Sequence, residues 1–190
     1  MQTELILAGF GGQGIMFAGQ VMSYAAMDAG KEVTWIPSYG PEMRGGTASC
    51  TVIVGDEPIG SPVVDRADAA VVMNPPSMAR FAPTVREGGL LVVNGSLVDA
   101  SSGRSDLEEL RLPCTDLARQ SGDDRLVSVV ALGALLERLT IVDPAFVEAA
   151  IHLVVGGKRL QVEAADVAAF RAGREAVGVL GASVGTPVAG

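Results

Sequence analysis

The residues best suited to binding chemistry are glycines. Gly9-Phe10-Gly11-Gly12-Gln13-Gly14 follows a short apolar run and satisfies G-x-G-x-x-G through Gly9, Gly11 and Gly14. Without Cβ atoms the backbone can approach an anion. A helix starting there turns its free N–H groups and the positive end of its dipole toward that anion. The same spacing also serves plain close packing of strand on helix, and the motif alone leaves both readings open. A second stretch, Ser38-Tyr39-Gly40-Pro41-Glu42-Met43-Arg44-Gly45-Gly46-Thr47, sets one guanidinium among glycines, and Arg44 is the only cation between Lys31 and Arg66. Such an arginine can pair bidentately with a phosphate or carboxylate. The alternative is a surface pair with Glu42, worth about 0–1 kcal/mol. Long Pro/Gly loops between strands are commonly functional, which favours ligand pairing.

Other chemistry finds little support. A nicotinamide site calls for an acid at the end of the second strand, but Trp35-Ile36-Pro37-Ser38 holds none, and Glu32 stands at the strand's wrong end. His152 is the only histidine, in a helix that reads as half-buried, and packing or a local hydrogen bond is its expected role. Cys50 alternates along a strand as a small buried hydrophobe would. Asp123-Asp124 reads as a solvated turn. G-x-S-x-G, H-E-x-x-H and G-x-x-x-x-G-K-[ST] are absent. The residues read as a ligand-binding edge without reacting groups of its own, as in a subunit that completes another chain's active site.

The elements that must position these loops follow from apolar periodicity. Thr3–Ala8 is a buried strand, the residues from Ile15 to Gly30 a helix, Glu32–Ile36 a second strand and Thr47–Val54 a third. Pro37–Gly46 is a loop. Ala69–Met73 is a strand ended by Asn74-Pro75-Pro76, where Asn74 can cap a helix that Pro75 opens. Leu90–Asn94 follows a Gly88-Gly89 turn, and Leu110–Leu112 is a last strand. Thr115–Gln120, Arg125–Arg138, Pro144–Val155 and Leu160–Val177 are helices. This is an α/β chain with a mainly parallel sheet flanked by helices and a helical C-terminal part. In such a sheet the two loops share one edge. One domain over residues 1–180 and a flexible tail over 181–190 are expected.

The 190 residues are 48% hydrophobic and 19% charged, which excludes disorder, collagen and coiled coil. A net charge of −8 argues against nucleic acid and anionic membranes, and fits docking on a basic partner. Cys50 and Cys114 lie far apart with no C-x-x-C, so a self-contained cluster or zinc site is not expected and a reducing cytoplasm is. The N-terminal stretch lacks the form of a signal peptide, and no apolar run is long enough to span a bilayer.

Five pieces in order resemble the gamma subunit of the 2-oxoacid:ferredoxin oxidoreductases, whose members act on pyruvate, 2-oxoglutarate, branched 2-oxoacids or indolepyruvate. They are the first glycine loop, Tyr39-Gly40-Pro41-Glu42-Met43-Arg44-Gly45-Gly46, Pro58-Ile59-Gly60-Ser61-Pro62, Ala131-Leu132-Gly133-Ala134 and Ala169-Phe170-Arg171-Ala172-Gly173. Ser128 and Asp166 depart from the family, which often has Asn near each position. The resemblance implies a Rossmann-like fold and oxidative decarboxylation of a 2-oxoacid to acyl-CoA. It also implies thiamine diphosphate, Mg2+ and iron–sulfur clusters on other subunits, none of them held by this chain alone, with ferredoxin as the acceptor. The gamma part packs over the thiamine site and helps position coenzyme A (CoA). Gly9, Gly11, Gly12, Gln13, Gly14, Ser38, Tyr39, Arg44, Gly45, Gly46 and Thr47 are the expected cofactor-binding residues, with no catalytic or metal-ligating residue. Two other readings are a stand-alone nucleotide-binding or sensory module and, disfavoured, an independent NAD(P) oxidoreductase.

Overall fold

A computed structural model describes residues 1–40, 46–156 and 160–183. Six strands form one sheet: β1 (Gln2–Phe10), β2 (Glu32–Tyr39), β3 (Thr47–Gly55), β4 (Ala67–Val72), β5 (Val85–Asn94) and β6 (Glu108–Leu112). Their order is β2-β3-β1-β4-β5-β6. β1, β4, β5 and β6 run parallel, whereas β3 is antiparallel to both β1 and β2. The mainly parallel α/β architecture is therefore as the sequence predicts, with a hairpin at one side. The reversal at β3 leaves β2 pointing the same way as β1. The ends of β1 and β2 therefore share an edge although the strands are not neighbours.

Among the described residues six α-helices complete the fold: α1 (Ile15–Asp28), α2 (Pro75–Phe81), α3 (Cys114–Gln120), α4 (Val127–Arg138), α5 (Pro144–Val155) and α6 (Leu160–Ser183). The central strands alternate between two cores, as a pleat demands. Leu5, Leu7, Val71 and Val92 face the larger one with α1, α4 and α6, while Ile6, Ala8, Val72 and Val93 face a smaller one under α2. Asn74 caps α2 as expected, its side chain accepting from the Ser77 N–H at 2.9 Å. Asp143 caps α5 in the same way through the Ala145 N–H at 2.8 Å.

Three expectations change. β2 does not stop at Ile36 but runs through Pro37 to Tyr39, pairing Pro37 with Cys50 and Tyr39 with Ala48. An edge strand tolerates proline because its outer side needs no donor. Gly88 and Gly89 lie inside β5, at the place where its pairing with β4 jumps from Ala67–Val85 to Ala69–Leu90. α6 continues to Ser183, so residues 181–183 are helical rather than tail. The rest of the expected tail, 184–190, lies outside the described residues.

Candidate functional site

The two loops meet. The Gly11 N–H donates to the Gly46 carbonyl at 3.0 Å, and the Gly40 N–H donates to the Thr47 carbonyl at 2.8 Å. Phe10 pairs with Thr47 and Tyr39 with Ala48, which brings the ends of β1, β2 and β3 to one point. Arg44 and Gly45, the centre of the second loop, lie outside the described residues.

The glycines of the first loop divide by role. Gly9 makes room for Gln13, since a Cβ there would sit 2.7 Å from Gln13 Oε1. Gln13 itself folds inward: its Oε1 accepts from the Phe10 N–H at 2.7 Å and from Asn74 Nδ2 at 3.2 Å. This expected ligand residue thus braces the turn and ties it to the cap of α2. Gly14 is left-handed at φ +75°, and a Cβ there would lie 2.5 Å from Ser128 Oγ, so it lets α1 approach α4. Gly12, at φ +96°, has nothing within 4 Å of its Cβ direction. It is the open member of the loop.

Beyond Gly14 the α1 helix begins with no side-chain cap and no acid in its first turn. The N–H groups of Ile15, Met16 and Phe17 find no partner among the described residues. Those orphan donors and the helix dipole make a seat for an anion. Two hollows flank it. A groove of about 250 Å³ runs between Gly11, Gly12, Phe17 and the exposed Tyr39. A broader cleft of about 550 Å³ opens on the other side, bounded by Gly12, Phe17, Leu126, Val129, Val162 and Asp166. Ser38 lies on the opposite face of β2 from Tyr39 by strand alternation and lines neither hollow. Thr47 closes the hairpin.

Neither cysteine is poised to react. Burial pushes the Cys50 thiol up to about 11, the Trp35 indole pulling it back slightly, and burial pushes Cys114 to about 12. His152 is more exposed than its helix implied and faces Glu163, Nδ1 to Oε2 at 2.8 Å. Asp123 caps a one-turn helix over Asp124–Leu126 and pairs with Arg125. Asp166 was visible in the sequence only as a departure from family pattern. It is nearly buried, at 3% exposure, and its carboxyl is pushed up to about 6 by burial and secondarily by Asp123. The Gln13–Asn74 bridge had no sequence signal, because it joins residues remote in the chain.

The comparisons agree with this geometry. Residues 4–176 match the family model described as pyruvate ferredoxin/flavodoxin oxidoreductase. Ketoisovalerate oxidoreductase subunit VorA of Methanothermobacter marburgensis is 37% identical over 83% of this chain, and the match covers 33% of that relative. The chain thus spans about a third of the length of these relatives. The 2-oxoglutarate synthase subunit KorC of the same organism is 33% identical, with 93% of this chain and 97% of the relative covered. Among solved structures, the gamma subunit of a keto/oxoacid ferredoxin oxidoreductase from Geobacter sulfurreducens superposes with a TM-score of 0.80 at 27% identity, covering 93% of this chain and 99% of that one. The 2-oxoglutarate:ferredoxin oxidoreductase of Magnetococcus marinus, solved with 2-oxoglutarate, coenzyme A and succinyl-CoA bound, shares the fold at a TM-score of 0.86 and 23% identity, over 94% of this chain and 31% of that one. Fold, glycine turn and hairpin coincide with a match over nearly the whole chain, and the chain belongs to the pyruvate ferredoxin/flavodoxin oxidoreductase family.

Proposed function

We propose that this chain is the gamma-type subunit of a cytoplasmic 2-oxoacid:ferredoxin oxidoreductase, acting as a single domain over residues 1–180. Its task is to hold the phosphate-bearing part of CoA at the shared edge of β1 and β2. The observation that carries this is the uncapped first turn of α1, with Gly12 bare beside it, where the two glycine-rich loops touch. Arg44, the one cation of the second loop's sequence, is the residue assigned to pair with the phosphate, and Tyr39 lines the groove beside the first loop. The residues do not fit an iron–sulfur cluster, because both cysteines are buried free thiols, one on β3 and one opening α3, and no group of three metal-ligating side chains forms among the described residues. On this reading thiamine diphosphate with its Mg2+, the clusters and the docking of ferredoxin belong to companion subunits. The thiamine does the decarboxylation chemistry there. This chain supplies a preorganised anion seat and no reacting group.

The test is steady-state kinetics of the reconstituted complex. Arg44→Ala should raise the KM for CoA about tenfold, the loss of one charge-assisted pair, with kcat at saturating CoA and thermal stability little changed. Gly12→Val should raise the same KM by blocking backbone approach. Unchanged CoA dependence in both variants would refute the placement of CoA at this edge.

A further inference from the structure

The sheet has two outer strands, and they are not alike. β2 carries Pro37, which leaves its outer side short of a donor, and proline on an edge is a common guard against pairing with another chain. β6 has no proline and no register shift over Glu108–Leu112. Just before the strand the Asp106 carbonyl accepts from the Gly88 N–H, and at its end the Leu112 carbonyl accepts from the Gly95 N–H, both at 2.7 Å. The even-numbered residues thus turn their backbone toward β5, and by alternation Glu109 and Arg111 turn their N–H and C=O groups outward. Those outward groups find no hydrogen-bond partner among the described residues.

The side chains on this edge are complementary to themselves. Glu109 and Arg111 share one face of β6 and pair with each other at 2.7 Å. Glu109 also accepts from Ser101 and Ser102, and Arg111 donates to the Val98 and Ala100 carbonyls, so both are held in place. A second copy can lie antiparallel to β6 about a two-fold axis at Leu110. Glu109 then falls opposite Arg111 of that copy, and Arg111 opposite its Glu109. These are the positions where outward N–H and C=O groups exchange both backbone bonds. Opposite charges directly across such a pair stabilise it, and like charges do the reverse. A strand of unrelated sequence meets the same charges without the match, which is how charged edges discourage indiscriminate pairing. We propose that β6 is a self-association edge, through which two copies of this chain join their sheets in the register that the Glu109–Arg111 pairs set. Such an interface is isologous. It lies at the far side of the sheet from β2, so the groove beside Tyr39 stays open.

Sedimentation velocity of the full chain over a range of concentrations tests it. The wild type should show a reversible monomer–dimer equilibrium. Glu109→Arg and Arg111→Glu should each weaken it about tenfold, because attraction across the two-fold axis becomes repulsion. Mixed in equal amounts, the two variants set an all-basic edge against an all-acidic one and should associate as strongly as the wild type. A role confined to anchoring residues 98–102 could not be rescued by mixing. Amide exchange of the wild type needs no variant and decides the matter if either one fails to fold. The Glu109 and Arg111 N–H groups should exchange fast in dilute protein and slowly in concentrated protein, with Leu110 protected in both. A wild type that stays monomeric, a mixture that associates no better than its components, or exchange at Glu109 and Arg111 that ignores concentration would each overturn the proposal. Protection of those amides only in the assembled enzyme would overturn it too, and would assign the edge to a companion subunit.

Discussion

Gln13 shows how far the role of a residue in a motif depends on the direction its side chain takes. Its type and position suit a ligand contact, yet its amide oxygen is taken up by the Phe10 N–H and by Asn74. Replacing it with Leu leaves both donors unpaired in a half-buried turn and should cost about 1–3 kcal/mol, read as a lower urea midpoint; wild-type stability would show that the brace is dispensable. Asp166 carries the opposite kind of prediction. Its carboxyl is raised to about 6 from an ordinary 3.8, chiefly by burial. Between those pH values the folded chain keeps a proton that the unfolded chain has released, so this group makes stability fall as pH rises and leaves it lower above pH 6. At roughly 1.4 kcal/mol per pH unit the deficit near neutral pH is about 2–3 kcal/mol. Asp166→Asn should therefore gain stability over wild type at pH 7.5 and lose most of that gain at pH 4.5, in denaturation series at the two pH values. A gain equal at both would sink the argument, whatever the other carboxylates contribute, because they are common to both proteins.

Among the elements, α4 and α6 cross where Gly133 and Gly173 interlock. A Cβ on Gly133 would overlap the Phe170 carbonyl, and one on Gly173 would overlap the Val130 carbonyl. Backbone meets backbone there, and no side chain can yield. Gly133→Ala and Gly173→Ala should each destabilise by about 3 kcal/mol, the upper part of the usual overpacking range, despite the better helix propensity of Ala. Melting temperatures at or above wild type would mean that the helices separate freely. The sequence displays both glycines in family-like stretches but not that they meet, because their meeting is a long-range event. Local signals did better: Asn74 before Pro75 and the apolar run into Gly9 both act within a few residues, and those elements begin where the chemistry of capping and turning says they should. The shared edge of β1 and β2 was legible too. The β3 strand between them was not placed, although a connection as short as Gly40–Gly46 can join β2 to β3 only by reversing direction.

For the molecule as a whole, burial falls away across the sheet toward the site. Ile6, Ala8, Val71, Val72, Leu91 and Val93 are at or near zero exposure between two cores, whereas β2 is an edge strand paired on one side, with Ile36 and Tyr39 open to solvent. Local opening is easiest where few apolar contacts and few neighbouring strands resist it. The groove wall carrying Tyr39 thus belongs to the least protected part of the sheet, and the Gly11–Gly46 hydrogen bond fastens the well-protected β1 turn to that softer hairpin. Amide hydrogen exchange should show β1, β4 and β5 exchanging only with global unfolding, and the last residues of β2 exchanging orders of magnitude faster. CoA at the shared edge should slow exchange at Tyr39 and Gly40 while leaving β4 and β5 unchanged, because their exchange is already limited by the whole fold. Uniform protection across the sheet in the free chain would contradict the burial gradient. A ligand effect confined to strands away from β1 and β2 would show that the anion seat is elsewhere.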